Sequence, residues 1–283
     1  MSEIVVEPAS VDDARSIERR RGCDDATIRF ALEFAEQGTV WVARDASEII
    51  GIAIAHDTED ERYAGDLFVE PSYRGRGVAR ELLGEVFRDC EDRARSMLVD
   101  PSDPACVALA LRQRLPVRES LVRLAGAIPR EEELAKMAAG DYHFGVDPID
   151  PSAHAFGLRA LDRQIRGTAR ERDHVDLALR ATGSGFFLNG EFVAYAYVWP
   201  DGRLGPIACA SQNYFVQILA YALLTLTRRY SASWCTMLVP GSNLRVARAA
   251  LRGGLRITQT LAISSDSLER DLSAYVAGHE LFL

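Results

Sequence analysis

Asp66-Leu67-Phe68-Val69-Glu70-Pro71-Ser72-Tyr73-Arg74-Gly75-Arg76-Gly77-Val78-Ala79-Arg80-Glu81-Leu82-Leu83 reads as a strand, a tight turn and the start of a helix. Leu67, Phe68 and Val69 form a short apolar run of strand formers that Pro71 closes. From Val78 to Leu83 the apolar residues fall at helical spacing. Between the two, Gly75 and Gly77 leave backbone N–H groups uncovered by any Cβ. The first turn of a helix carries N–H groups without intrahelical partners and the positive end of the dipole, so it attracts anions. Arg74 and Arg76 add guanidinium donors that match phosphate oxygens. The stretch describes a site for a phosphate or pyrophosphate.

The spacing separates the phosphate-binding motifs. A dinucleotide fingerprint needs a third glycine where Arg80 stands, and a P-loop needs Gly-Lys-Ser/Thr, which does not follow. Arg-x-x-Gly-x-Ala does fit, as Arg74, Gly77 and Ala79, after Val69-Glu70-Pro71. With strand, Val-x-Pro, motif and amphipathic helix in that order, the stretch resembles the acetyl-CoA loop of the GCN5-related N-acetyltransferase (GNAT) family. The match is sharp over residues 40–85 and extends in plan over the whole chain.

Counts narrow the class. The chain has 283 residues, room for one large domain or two ordinary ones. Hydrophobic residues make up 48%, enough for packed cores. A formal net charge of −8 argues against a nucleic-acid partner and fits, weakly, a cationic substrate. Cysteines 23, 90, 106, 209 and 235 are scattered, without a Cys-x-x-Cys pair, and the histidines have no metal-ligand spacing. Neither a disulfide framework nor a metal site is expected, and free thiols suit a reducing cytoplasm. Met1-Ser2-Glu3 and the apolar start after it do not read as a signal peptide. The apolar run from Phe215 to Leu226 is too short to span a bilayer, so no membrane partner is expected.

Along the first half the expected order is β-α-α-β-β-β-α-β-α-β. Ser10 caps a charged helix, Asp24-Asp25 opens a second, and Gly51 inside the strand Ile49 to Ala55 implies a close backbone approach. The second half repeats the plan. Met97-Leu98-Val99 is echoed by Met237-Leu238-Val239, and Arg112-Gln113-Arg114-Leu115 by Arg252-Gly253-Gly254-Leu255. One helix over 154–181 stands for the first two, and Asn189-Gly190 marks a hairpin. The boundary is placed near residue 140. The expected fold is α/β (α+β): two tandem GNAT-like domains, 1–140 and 141–283, each a mixed, mostly antiparallel sheet flanked by helices. Where the first half has Arg74 to Ala79, the second has Ala210-Ser211-Gln212-Asn213-Tyr214, with neither glycine nor cation. The second domain is therefore expected to be degenerate, without its own acetyl-CoA.

The resemblance implies acetyl-CoA as cosubstrate and no metal. By position it assigns backbone groups of Phe68 and Val69 to the pantetheine arm. It assigns N–H groups of Arg74, Gly75, Arg76, Gly77, Val78 and Ala79, with the Arg74 side chain, to the phosphates. An amine acceptor must lose a proton before attacking the thioester. Asp66 and Glu70, at the ends of the pantetheine segment, are the base candidates, with Tyr63 a third. The tyrosine that usually protonates the leaving thiolate falls on Arg112, so this sequence departs from the family there. In the second half, Asp162, Arg166, Gly167, Arg170, Arg172 and His174, with Arg203, either line a pocket selecting an acidic group or form the charged outer face of a helix; the second is favoured.

The expectation is an acetyl-CoA-dependent N-acetyltransferase acting on a small amine or peptide N-terminus by direct attack. Its rival is a non-catalytic acetyl-CoA-binding sensor or scaffold. Transfer of a longer acyl group is a third reading. The acceptor and the oligomeric state stay open, a homodimer among the options.

Overall fold

The computed structural model describes residues 4–23, 25–90, 92–267 and 270–280. Met1-Ser2-Glu3 and Asp24, read above, lie outside them. The chain forms two compact units: Met1–Arg118 with Ile263–Ser267 and Glu280–Leu283, and Glu119–Ala262 with Leu268–His279. Residue 140, where the sequence suggested a boundary, falls inside the second unit, just past a helix that packs there.

The first unit runs β1 (Ile4–Pro8), α1 (Val11–Arg21), α2 (Asp25–Glu36), β2 (Val40–Asp45), β3 (Glu48–Asp57), β4 (Glu61–Val69), a 3-10 turn (Pro71–Tyr73), α3 (Val78–Val86), β5 (Ala94–Val99), α4 (Pro104–Arg112) and the start of β6 (Val117–Ala127). This is the expected order. Ser10 opens α1 as a capping box, its Oγ accepting from Asp13 N at 3.2 Å while Ser10 N donates back to the Asp13 carboxylate at 3.0 Å. β1 to β4 pair antiparallel in sequence order, and β4 pairs parallel with β5. Leu82, Leu83 and Val86 of α3 pack on Trp41, Ile50, Ala53 and Ala64. Gly51 permits this approach: a Cβ there would lie 3.0 Å from Phe68 O and 3.1 Å from Leu82.

The second unit takes up the rest of β6, then α5 (Glu131–Ala138), β7 (Gly145–Pro148), α6 (Ala155–Arg166), α7 (Glu171–Arg180), β8 (Thr182–Leu188), β9 (Glu191–Val198), β10 (Arg203–Cys209), α8 (Phe215–Tyr230), β11 (Trp234–Pro240), α9 (Leu244–Arg252) and most of β12 (Arg256–Ser265). It ends in a 3-10 turn (Leu272–Ala274) and β13 (Tyr275–Val276). From β7 to β12 the order repeats the first unit element for element. Its strands lie in the order β12-β6-β11-β10-β9-β8-β7, with β13 on β10. Two details correct the sequence reading. The helix expected over 154–181 is two helices, because Gly167 ends α6 in the left-handed region at φ 79°. And α5 belongs to this unit through Gln217 of α8, whose Nε2 donates to Ala138 O at 2.9 Å and Tyr142 O at 2.6 Å. Asn189 and Gly190, at φ 52° and 85°, make the expected hairpin turn between β8 and β9.

Candidate active site

In the first unit the organising stretch begins where two strands part. β4 and β5 pair only from Glu61 with Ala94 to Ala64 with Met97. The register of β4 on β3 then slips: Ala55 faces Ala64 and Ile54 faces Asp66, so Gly65 is an extra residue, a bulge that bends the strand. Asp66 to Val69 continue along β3 without a described pairing to β5. Glu70 N donates to Ile50 O at 2.8 Å. Antiparallel alternation then sets Phe68 as the next residue bonded to β3 and turns the backbone groups of Leu67 and Val69 toward the split. Phe68, expected to offer its backbone there, instead faces β3, and its neighbour Leu67 takes that place. The Val69 carbonyl accepts from Arg74 Nε at 3.2 Å, which ties the strand end to the turn that follows.

The turn at the end of the split brings two glycines and two arginines together just before α3. Gly75 and Gly77 sit at φ 78° and 91°, where a side chain is disfavoured. Gly77 is the N-cap of α3 and offers no capping side chain. Arg80 and Glu81 N both bond Gly77 O, so the amides of Val78 and Ala79 begin the helix without an intrahelical acceptor. Arg74, Gly75 and Arg76 are exposed. Arg76 lies over the Tyr73 ring at 4.9 Å, and Tyr73 donates to Asp45 at 2.9 Å, which raises the pKa of its phenol. Glu81, in the first turn of α3, is a local charge that opposes an anion.

The base candidates fare differently. Asp66 is gripped by Arg21 at the end of α1, with Nη1 and Nη2 donating to its two carboxylate oxygens at 2.6 and 3.1 Å. The same guanidinium lies 4.8 Å from the centre of the Phe68 ring. Arg21 was missed by sequence reasoning, since nothing local links it to a residue 45 positions away. Glu70 is half-buried at the head of the 3-10 turn. Tyr63 is buried, and its hydroxyl donates to Glu280 O at 2.7 Å. Arg112 stands exposed at the last residue of α4. Among the described residues no cluster of histidine, cysteine or carboxylate groups could hold a metal, and no helix is long and apolar enough to cross a membrane.

The second unit has the same split and fills it with its own chain. β10 and β11 pair only at Arg203 with Thr236 and Leu204 with Met237. Beyond that point β13 enters, Val276 and Tyr275 pairing with Ile207 and Ala208. Ala277 N donates to Leu238 O at 2.9 Å on the other side. Asn243, the N-cap of α9, donates to Tyr275 O at 2.9 Å. Tyr275, Val276 and Ala277 are fully buried.

The charged run of this unit is neither a pocket wall open to solvent nor an outer face. Asp162, Arg166, Arg170 and His174 are buried. Asp162 accepts from the Tyr195 hydroxyl at 2.5 Å and lies 2.9 Å from His174 Nε2, while His174 Nδ1 meets Tyr197 at 2.9 Å. Arg170 Nη2 reaches the hydroxyls of Tyr195 and Tyr275 at 2.8 and 2.9 Å. Burial opposes charge on Asp162, but Arg170, His174 and Arg166 around it outweigh that and hold its pKa at about 2. Arg172 and Arg203 are outside this cluster, Arg203 being paired with Asp201 at 2.7 Å.

Residues 36–112 match the model of the acetyltransferase (GNAT) domain. No curated protein matches the chain. Among solved structures, a candidate acetyltransferase from Pyrococcus horikoshii superposes with a TM-score of 0.73 at 15% identity, covering 97% of this chain and 94% of that one. A GCN5-related N-acetyltransferase from Sphaerobacter thermophilus gives 0.62 at 13%, covering 93% and 95%. A tandem GNAT protein from the clavulanic acid biosynthesis pathway gives 0.58 at 14%, covering 93% and 98%. Residues 36–112 thus match the GNAT domain model, and the chain as a whole shares its fold with a tandem GNAT protein.

Proposed function

We propose that the first unit binds acetyl-CoA along the split between β4 and β5 and transfers its acetyl group to a small amine or a peptide N-terminus. The observation that carries this reading is the parting of β4 from β5 at Gly65, directly before the Gly75–Gly77 turn and the uncapped start of α3. Backbone groups of Leu67 and Val69 suit a pantetheine amide running along the strand. The amides of Gly75 to Ala79 and the Arg74 and Arg76 guanidinium groups suit the pyrophosphate. The acetyl group supplies the electrophile. The chain supplies strand-edge donors that would polarise its carbonyl and carboxylates near the acceptor amine.

In this reading the second unit holds no acetyl-CoA, because β13 takes the backbone partners a pantetheine arm would need. Titration of the whole chain with acetyl-CoA by calorimetry tests both halves of the proposal: saturation at one per chain supports it, and two per chain or none overturns it.

The non-catalytic reading has its own support. Asp66 is engaged by Arg21, and Arg112 stands where the family places its acid. Thiol release across a panel of primary amines decides between the two. Binding without turnover on every amine would favour a sensor.

A further inference from the structure

We infer that the second unit carries a binding site for an anionic single-chain amphiphile, of the class of a fatty carboxylate, in the groove between α5, α8 and α9. The groove encloses about 620 Å³, within the usual range of small-molecule sites (roughly 300–1,000 Å³). Its walls and floor are apolar: Met137, Val216, Leu219, Leu223 and Met237 face it, together with the alanines of α9. Leu244 at its mouth is 65% exposed and Met137 is 40% exposed, apolar surface that the fold leaves wet.

One edge of the groove is cationic. Arg245, Arg248 and Arg252 follow one another at helical spacing along α9 and line it. None of the three is ion-paired with a described residue. The lone carboxylate in the lining, Glu133, is held by Arg130 at 2.8 Å. A chain of net charge −8 therefore gathers, beside an apolar trough, three guanidinium groups that no described carboxylate pairs. A ligand complementary to both features has an apolar body and one anionic end. An extended peptide fits poorly, because the apolar walls would leave its backbone amides without partners. This site is separate from the acetyl-CoA turn and does not depend on it.

The test uses the full-length protein and dodecanoate as probe, below its micellar concentration, with dodecyltrimethylammonium as the opposite-charge control. Dodecanoate should saturate at one per chain, and the cationic analogue should bind at least tenfold more weakly. The R245E/R248E double variant should lose at least tenfold in dodecanoate affinity. Met137→Glu, at an exposed position that leaves the core untouched, should do the same. Binding should persist in Gly77→Val and in saturating acetyl-CoA, which separates this site from the one in the first unit. Equal affinity for the two surfactants would overturn the inference, as would affinity unchanged in both groove variants. So would absence of saturable binding, or preference for an acidic amphipathic helical peptide over dodecanoate.

Discussion

Arg170 Nη2 donates to the Tyr275 hydroxyl at 2.9 Å, tying the start of α7 to the strand that fills the second unit's split. The bond joins residues 105 positions apart, and both side chains are buried. A guanidinium in that place, also bonded to Tyr195 and close to Asp162, would be costly to leave behind if β13 withdrew. The filled split is thus held by charge as well as by strand pairing.

Replacing Gly205 with alanine tests how tightly the filling strand is seated. A Cβ at this position would lie 2.5 Å from Ala277 O, and Gly205 sits at φ 117°. The variant should lose roughly 3 kcal/mol of stability, read as a lower urea midpoint, because backbone rather than a flexible side chain must move. Acetyl-CoA stoichiometry should stay at one per chain.

Gly77→Val should weaken acetyl-CoA binding at least tenfold while the chain stays folded. A Cβ there meets nothing closer than Arg80 at 3.7 Å, so the penalty is conformational rather than a clash. Holding a valine at φ 91° costs about 1–2 kcal/mol and shifts the turn that presents the amides. Calorimetry with acetyl-CoA, beside circular dichroism, is the check, and unchanged affinity would contradict the assignment.

The pair Arg21–Asp66 bears on the identity of the base. If Asp66 is the base, Asp66→Asn should cost at least a hundredfold in kcat. Arg21→Ala removes the guanidinium that holds both oxygens of that carboxylate, at 2.6 and 3.1 Å, and should lower kcat by roughly tenfold through lost positioning. Steady-state kinetics on the best amine of the panel is the check, and full activity in both variants would shift attention to Glu70.

Acid stability of the second unit should depend on Asp162. Its folded pKa of about 2 lies below the ordinary carboxylate value, so its contribution is complete above about pH 4. That contribution fades as the pH falls through about 2. Urea midpoints at pH 5 and pH 2.5 should differ less in Asp162→Asn than in the parent, even though the variant is less stable at pH 5.

A variant altered across Ser211 to Tyr214 should bind acetyl-CoA as the parent does. The turn before α8 has no glycine and no cation, and Ala210 N is already committed to Val193 O at 2.8 Å. Loss of the cofactor in that variant, measured by calorimetry, would show that the second unit takes part in holding it.

What the sequence conveyed followed from short-range physics. The two-glycine turn, the Asn189-Gly190 hairpin and the repeated element order all depend on residues within a few positions of one another, and each is present in the structure. The features that escaped are long-range. Arg21 meets Asp66 across 45 positions, and β13 is two residues long, too short to show alternation. The spacing of Asp162, Arg166, Arg170 and His174 marks a shared side of neighbouring helices. Spacing cannot say that the side faces inward, because that depends on three tyrosine hydroxyls from β9 and β13.

Strand β12 starts in the second unit and finishes in the first, where Ile263–Ser267 belongs. Asp266 there donates its amide to Arg95 O at 3.1 Å and binds the Arg95 guanidinium at 2.7 Å. A chain cut before residue 263 would deprive the first unit of a piece it needs, although every motif that marks that unit lies upstream. Residues 263–267 must therefore be synthesised before the first unit has all its strands, so a cut after Arg118 would not release a self-sufficient part.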